Sequence, residues 1–176
     1  MENALKYYQK NLQLEDKYSS LSTTSTVSNN IGIIYAELGY HKKALYYYKK
    51  SLEIGQKFDL NSSISIGPIN NIGKMYNLMK KKDKAEVFIK KTLSIARENN
   101  DLRGLSHAYL NLSDLKLNME DYESALEFSN KTLRYAQKIG DQSLLAVAYL
   151  IRASIYEKMD LTVKQEDQLK KCIAIA

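Results

Sequence analysis

Residues Asn29–Gly55 read NNIGIIYAELGYHKKALYYYKKSLEIG, and residues Asn70–Ala96 read NNIGKMYNLMKKKDKAEVFIKKTLSIA. The second stretch restates the first after 41 residues. A fixed period of this length marks a repeat architecture. Aligned on one alanine, the chain gives Ala4, Ala44, Ala85 and Ala125, at steps of 40, 41 and 40. Eight residues beyond each alanine stands a leucine: Leu12, Leu52, Leu93 and Leu133. One further step reaches Ile173. Upstream, Ile31-Gly32 recurs as Ile72-Gly73 and, loosely, as Leu112-Ser113. Tyr35 recurs as Tyr76 and Tyr156.

Each unit contains two helical patterns. Ala44, Leu45, Tyr48 and Leu52 place an apolar stripe on one face of a second helix, and Ala85, Ile89 and Leu93 repeat it. Ile31, Ile34, Tyr35 and Leu38 do the same for a first helix. Asp83 with Glu86, and Thr162 with Gln165, read as capping boxes that start second helices. Asp101 and Asp141 stand where the next first helices should begin. Pro68 falls early in a first helix and is expected to delay or kink it. The small residues at fixed columns let helix backbones approach closely, while the Tyr and Leu columns fill the space beside them. Tyr46 and Tyr47 flank the packed Tyr48 and are expected at the core boundary, the alternative being a contact with a partner or a second copy. One such pair of helices cannot bury its apolar face alone, and stacked pairs can.

Composition agrees. Of 176 residues, 44% are apolar and 26% charged, as in an ordinary soluble chain with a real core. One Pro and seven Gly are too few turn-formers for many short strands, which favours an all-α fold. No window approaches 18 uninterrupted apolar residues, so no membrane span or membrane contact is expected. No stretch reads as a signal peptide, and the expected location is the cytoplasm. The net charge of +6 permits anionic partners without demanding them.

The motif Leu/Ile-Gly-x-x-Tyr, followed by Ala-x-x-x-Tyr/Phe and a small residue three further on, resembles the tetratricopeptide repeat. It is carried by Ile31-Gly32-Tyr35-Ala44-Tyr48-Ser51, by Ile72-Gly73-Tyr76-Ala85-Ile89-Thr92 and, with substitutions, by Leu112-Ser113-Lys116-Ala125-Ser129-Thr132. The step exceeds the usual 34 residues and is similar to the longer variety of kinesin light chains, Rap-type regulators and cell-polarity adaptors. The wording is most similar to repeat arrays of bacterial signalling proteins. The resemblance implies a right-handed α-solenoid of stacked antiparallel helix pairs. On this reading residues 1–176 form a single array: a second helix of a truncated repeat over 1–20, then pairs over 21–60, 61–100, 101–140 and 141–176. Nine helices are expected. The last unit carries Arg152 and Gln165 where Leu and Ala are expected, so it reads as degenerate or as lying near an end. The unmatched helix at the start and the apolar residues at the end suggest a piece of a longer protein.

No phosphate-binding, dinucleotide-binding, zinc-protease or nucleophile-elbow motif is present, and no catalysis, cofactor or metal is expected. His41 falls in a turn, His107 on a first helix, and Cys172 in the small-residue column of Ser51, Thr92 and Thr132, a packed thiol. Binding is the better prospect. The resemblance implies that first helices line a concave face, where the column before Ile31, Ile72 and Leu112 holds Asn30, Asn71 and Asn111. A side-chain amide both donates and accepts, so it can pair with a peptide backbone of any sequence. In the related adaptors an asparagine ladder at this column clamps an extended peptide. The same amides could instead hold neighbouring repeats together. Asn70, Lys74 and Asp114, in adjacent columns beside Ile33 and Glu37, would tune specificity.

Lys49-Lys50, Lys90-Lys91, Lys131 and Lys170-Lys171 lie opposite the apolar stripe of second helices and read as a solvated face. The run Lys80-Lys81-Lys82 with Lys84 adds a basic turn. Scarce arginine and nearby acids argue against nucleic acid. The expected function is a non-catalytic scaffold that binds a protein or peptide, within a bacterial signalling or regulatory protein. The alternatives are a spacer or self-association platform, including a homodimer, and a Rap-like regulator that binds a signalling peptide.

Overall fold

The computed structural model describes Lys6, Tyr8 and residues 21–57 and 63–175. Among these it holds eight α-helices and no strand. They are α1 (Leu21–Glu37), α2 (His41–Gln56), α3 (Ser63–Leu78), α4 (Lys82–Glu98), α5 (Leu102–Asn118), α6 (Tyr122–Ile139), α7 (Gln142–Lys158) and α8 (Thr162–Ile173). The helix expected over 1–20 lies outside the described residues, apart from Lys6 and Tyr8. The chain forms two compact units, residues 1–91 and 92–176, divided within α4. In the first unit α1 packs on α2, α2 on α3, and α1 also touches α3. In the second, α5 packs on α6, α6 on α7 and α7 on α8, with α5 touching α7.

The turn inside each pair is built the same way four times. Gly39, Lys80, Glu120 and Asp160 adopt left-handed φ values of 78°, 58°, 63° and 56°. The next N–H in each case bonds a carbonyl five residues back: Tyr40 to Tyr35 at 2.8 Å, Lys81 to Tyr76 at 2.8 Å, Asp121 to Lys116 at 3.0 Å and Leu161 to Tyr156 at 2.9 Å. Only the first of the four is glycine, which adopts this backbone without a Cβ penalty.

Helix starts differ between the units. Asp101, Asp121 and Asp141 cap α5, α6 and α7, each carboxylate accepting from the N–H three residues on. The expected start at Thr162 is shifted: α8 is capped by Leu161 with no side-chain bond. The box expected at Asp83 also moves inward. α4 begins at Lys82, so Asp83 stands in the first turn, where its charge still favours the helix dipole. Pro68 does not delay α3, which starts five residues earlier at Ser63. Buried Pro68 leaves its i−4 neighbour Ile64 without that helical donor.

The core follows the repeat columns. Ala44, Ala85 and Ala125 are fully buried. A Cβ on Gly32 would stand 2.6 Å from the Tyr48 ring, and one on Gly73 would stand 2.7 Å from Ile89 Cγ1. Glycine is required there because the facing column holds a large side chain. In the third repeat that facing residue is the small Ser129, and Ser113 replaces glycine, its hydroxyl donating 2.8 Å to the Ala125 carbonyl. The hydroxyl column also joins helices. Ser51 donates to the Ser25 carbonyl at 2.7 Å and Ser25 donates to the Ser51 carbonyl at 2.9 Å.

Arg152 is held by partners on three helices. The space left by Ser129 is taken by its guanidinium, which donates to Ser129 Oγ at 3.1 Å, Gln168 Oε1 at 3.0 Å and the Tyr156 hydroxyl at 3.1 Å, and also to Asn130 Oδ1. Buried Gln168, 5% exposed, then meets a donor rather than an apolar wall.

Candidate protein-binding face

The six residues proposed from the sequence lie on first helices. In residues 1–91, Asn30 on α1 and Asn71 on α3 are half-buried, Asn70 is buried and Lys74 is exposed. Asn71 Nδ2 donates to Asn29 Oδ1 at 3.0 Å, linking α3 to α1. That bond uses one of two N–H donors on Asn71 and one lone pair of Asn29, so capacity for a second partner remains on each amide. In residues 92–176, Asn111 on α5 is buried and Asp114 is half-buried, and both are engaged in interactions of their own. Asn111, only 8% exposed, is thus less accessible than Asn30 and Asn71.

The neighbouring columns face solvent more openly. Ile33 and Lys74 are exposed and Asp114 half-exposed, and one turn on Glu37, Leu78, Asn118 and Lys158 are all exposed. Ile33 at 37% and Leu78 at 47% present aliphatic surface beside these polar groups in the first unit. Such a face offers apolar contact, amide hydrogen bonds and charge of both signs.

Second helices look different. Lys90, Lys131 and Lys171 pair with Glu86, Glu127 and Asp167 four residues earlier, at 2.9, 2.6 and 2.6 Å. These exposed pairs each contribute only a few tenths of a kcal/mol. The ridge is thereby partly neutralised within its own helices.

A second pattern was not anticipated. Lys43, Lys84 and Lys164 lay their ammonium groups over Tyr35, Tyr76 and Tyr156 at 5.3, 5.9 and 5.7 Å. The eight-residue spacing from Tyr to Lys was visible in all three repeats and could have revealed it. Tyr46 is 62% exposed rather than at the core boundary, while Tyr48 is buried, its hydroxyl pKa pushed up by burial and secondarily by Glu37. His41, His107 and Cys172 are each half-buried. Among the described residues no group of three or more metal-ligating side chains occurs, and no helix is long and apolar enough to cross a membrane.

Paired antiparallel helices, recurrent small-residue columns and open first-helix columns define a helical-repeat scaffold. Comparison with known proteins gives the family. Two tetratricopeptide-repeat profiles match, one over residues 1–57 and the other over 106–139, and the profile of anaphase-promoting complex subunit 5 matches 68–116. The chain is a tetratricopeptide-repeat protein. It is 24% identical over 150 residues to outer dynein arm-docking complex subunit 4 of Xenopus laevis, covering 82% of this chain and 27% of that relative. It therefore spans about a quarter of that relative's length. Among solved structures, a Rap protein complexed with competence and sporulation factor matches with a TM-score of 0.85 and 17% identity, covering 97% of this chain and 48% of that one. Aspartyl phosphate phosphatase F from Bacillus subtilis matches with a TM-score of 0.71 and 14% identity, covering 97% and 54%. At these identities the likeness is one of fold.

Proposed function

We propose that this protein is a non-catalytic scaffold that binds an extended peptide or protein segment on its first-helix face, as part of a bacterial signalling or regulatory protein. Asn30, Asn71 and Asn111 pair with the ligand backbone. Asn70, Lys74 and Asp114 set specificity within their own units. The observation that carries this reading is the exposure of the columns beside the amides: Ile33, Glu37, Lys74 and Leu78 in residues 1–91, and Asn118 and Lys158 in residues 92–176. Surfaces of mixed aliphatic and amide character suit peptide backbones with alternating side-chain pockets. A second reading, a regulator responding to a short signalling peptide, is favoured by the likeness to the Rap protein solved with competence and sporulation factor.

The test is to select peptides from a displayed random library on the whole chain and measure their binding to a variant with Asn30, Asn71 and Asn111 all changed to Ala. We expect a loss of about tenfold or more, the scale of a few peptide hydrogen bonds, at unchanged helix content. Asn29→Ala breaks the same bond to Asn71 and should leave most binding in place. Unchanged binding by the triple variant would show that the amides serve packing alone.

A further inference from the structure

The second helices share a solvent-facing column two residues past the aligned Ala44, Ala85, Ala125 and Gln165. It holds Tyr46 on α2, Val87 on α4, Glu127 on α6 and Asp167 on α8, all exposed. On α6 and α8 this column supplies the carboxylate for the lysine four residues on: Glu127 for Lys131 and Asp167 for Lys171, both at 2.6 Å. On α4 the acid stands one residue earlier, and Glu86 pairs with Lys90 at 2.9 Å. On α2 the lysines are kept and the acids are not. Four residues before Lys49 and Lys50 stand Leu45 and Tyr46.

Tyr46 is 62% exposed, and its ring meets Tyr47 edge-on at 5.2 Å. Helix spacing puts Lys42 and Lys43 four and three residues before it and Lys49 and Lys50 three and four after it, all on its own side of α2. The helix carries these four lysines against one carboxylate, Glu53. Lys43 lies over the Tyr35 and Tyr40 rings at 5.3 and 5.2 Å. Lys42, Lys49 and Lys50 make no ion pair among the described residues. An exposed hydroxyl therefore stands inside a collar of lysines, at the position where two later repeats place an anion.

We propose that Tyr46 is a phosphorylation site and that this lysine collar is the countercharge for its phosphate. A kinase transfers the terminal phosphoryl group of a nucleoside triphosphate to Tyr46 Oη. The bond from that phosphorus to its bridging oxygen breaks, a phosphorus–oxygen bond to Oη forms, the nucleoside diphosphate leaves and the hydroxyl proton passes to the base of the kinase. The phosphate brings a charge of about −1.5 to −2. It gives Lys50 the partner that Lys131 and Lys171 already have, with the acid on the favourable N-terminal side. Residues 1–91 hold 15 lysines, no arginine and eight carboxylates, a formal +7. One phosphate offsets about a quarter of that excess. The charge change falls on a second helix and leaves the asparagines of the first helices untouched.

The test has two arms. The full chain is incubated with a soluble tyrosine kinase, ATP and magnesium, and the modified residues are located by mass spectrometry. Tyr46 is expected to take up phosphate ahead of Tyr40, which is 55% exposed in the turn before α2. Tyr46→Phe should lose that modification at unchanged helix content. Phosphate on other tyrosines with Tyr46 unmodified overturns the assignment, as does a chain that takes up none. In the second arm, phosphotyrosine is placed at position 46 by nonsense suppression. Its phosphorus-31 signal should titrate at lower pH than in a chain that also carries Lys42→Gln, Lys49→Gln and Lys50→Gln, because nearby cations favour the dianion. Its Tm at low salt should exceed that of the unmodified chain by about 1–3 °C. Equal titration with and without the lysines, or a lowered Tm, overturns the proposal.

Discussion

In residues 1–91 the paired helices meet through Gly32 against Tyr48 and Gly73 against Ile89. In residues 92–176 the same columns hold Ser113 with Ser129, and Arg152 reaches in from the next first helix to bond Ser129. At these columns one unit fills its gaps with large side chains against absent ones, the other with hydrogen bonds. The contrast extends outward. The first unit is strongly basic, whereas the second caps three helices in succession with aspartate. A repeat therefore conserves a spacing and a backbone path more strictly than it conserves the chemistry that fills them.

The contrast is broken most sharply at the glycines. Gly32→Ala should destabilise the protein by about 1–3 kcal/mol, the usual cost of overpacking, because the buried Tyr48 ring has no room to move. Ser113→Ala in the other unit loses only a hydrogen bond and should cost about 0.5–1.5 kcal/mol. Thermal unfolding followed by circular dichroism measures both. Equal costs would show that close approach is not what separates the units.

Arg152 comes next. Arg152→Leu restores the aliphatic character of its column but leaves the buried Gln168 carbonyl without its donor, at a cost of about 1–3 kcal/mol. Adding Ser129→Ile transfers the large-residue chemistry of Ile89 and should recover part of that loss. A double variant no better than the single one would separate Arg152 from the Ser129 gap.

The caps give smaller effects. Asp141→Ala should cost about 1 kcal/mol in urea unfolding, through loss of its bond from the Leu144 N–H. Asp121 adds a pH dependence. Its carboxyl is held below the usual range by the Ser124 side chain first, then by the Ser124 backbone N–H, with Lys116 assisting. A depressed folded pKa gives stability that is present at neutral pH. It is lost as pH falls from the ordinary carboxylate range through the folded value. Asp121→Ala should therefore flatten part of the acid limb of Tm against pH.

The smallest expected effect is a gain. Lys80→Gly and Glu120→Gly should each stabilise the turn by about 0.5–1 kcal/mol, since both residues hold left-handed backbone that Gly39 adopts without strain. Calorimetry on the two single variants checks this, and a loss of stability at either would contradict it.

These residues also show what the sequence made legible. Ala44, Ala85 and Ala125 mark a buried column because a one-residue slip would place a larger side chain in the same contact. The spacing alone was enough to read them. Asp101 and Asp141 were legible as starts for the same local reason. Arg152 was not, because its partners Ser129 and Gln168 lie 23 and 16 residues away and are chosen by the gap between helices. The delay expected from Pro68 did not occur because the helix already runs from Ser63, five residues before the proline. The asparagines were located correctly on first helices. The Asn71–Asn29 bond required knowing that α1 and α3 touch.

The most direct test of the binding account is residue-by-residue mapping. A library-selected peptide titrated into the isotope-labelled chain should shift the amide and side-chain signals of Asn30, Asn71 and Lys74 in the first unit, and of Asn111 and Asp114 in the second. Shifts confined to the second helices α2, α4, α6 and α8, with those five residues unmoved, would contradict it.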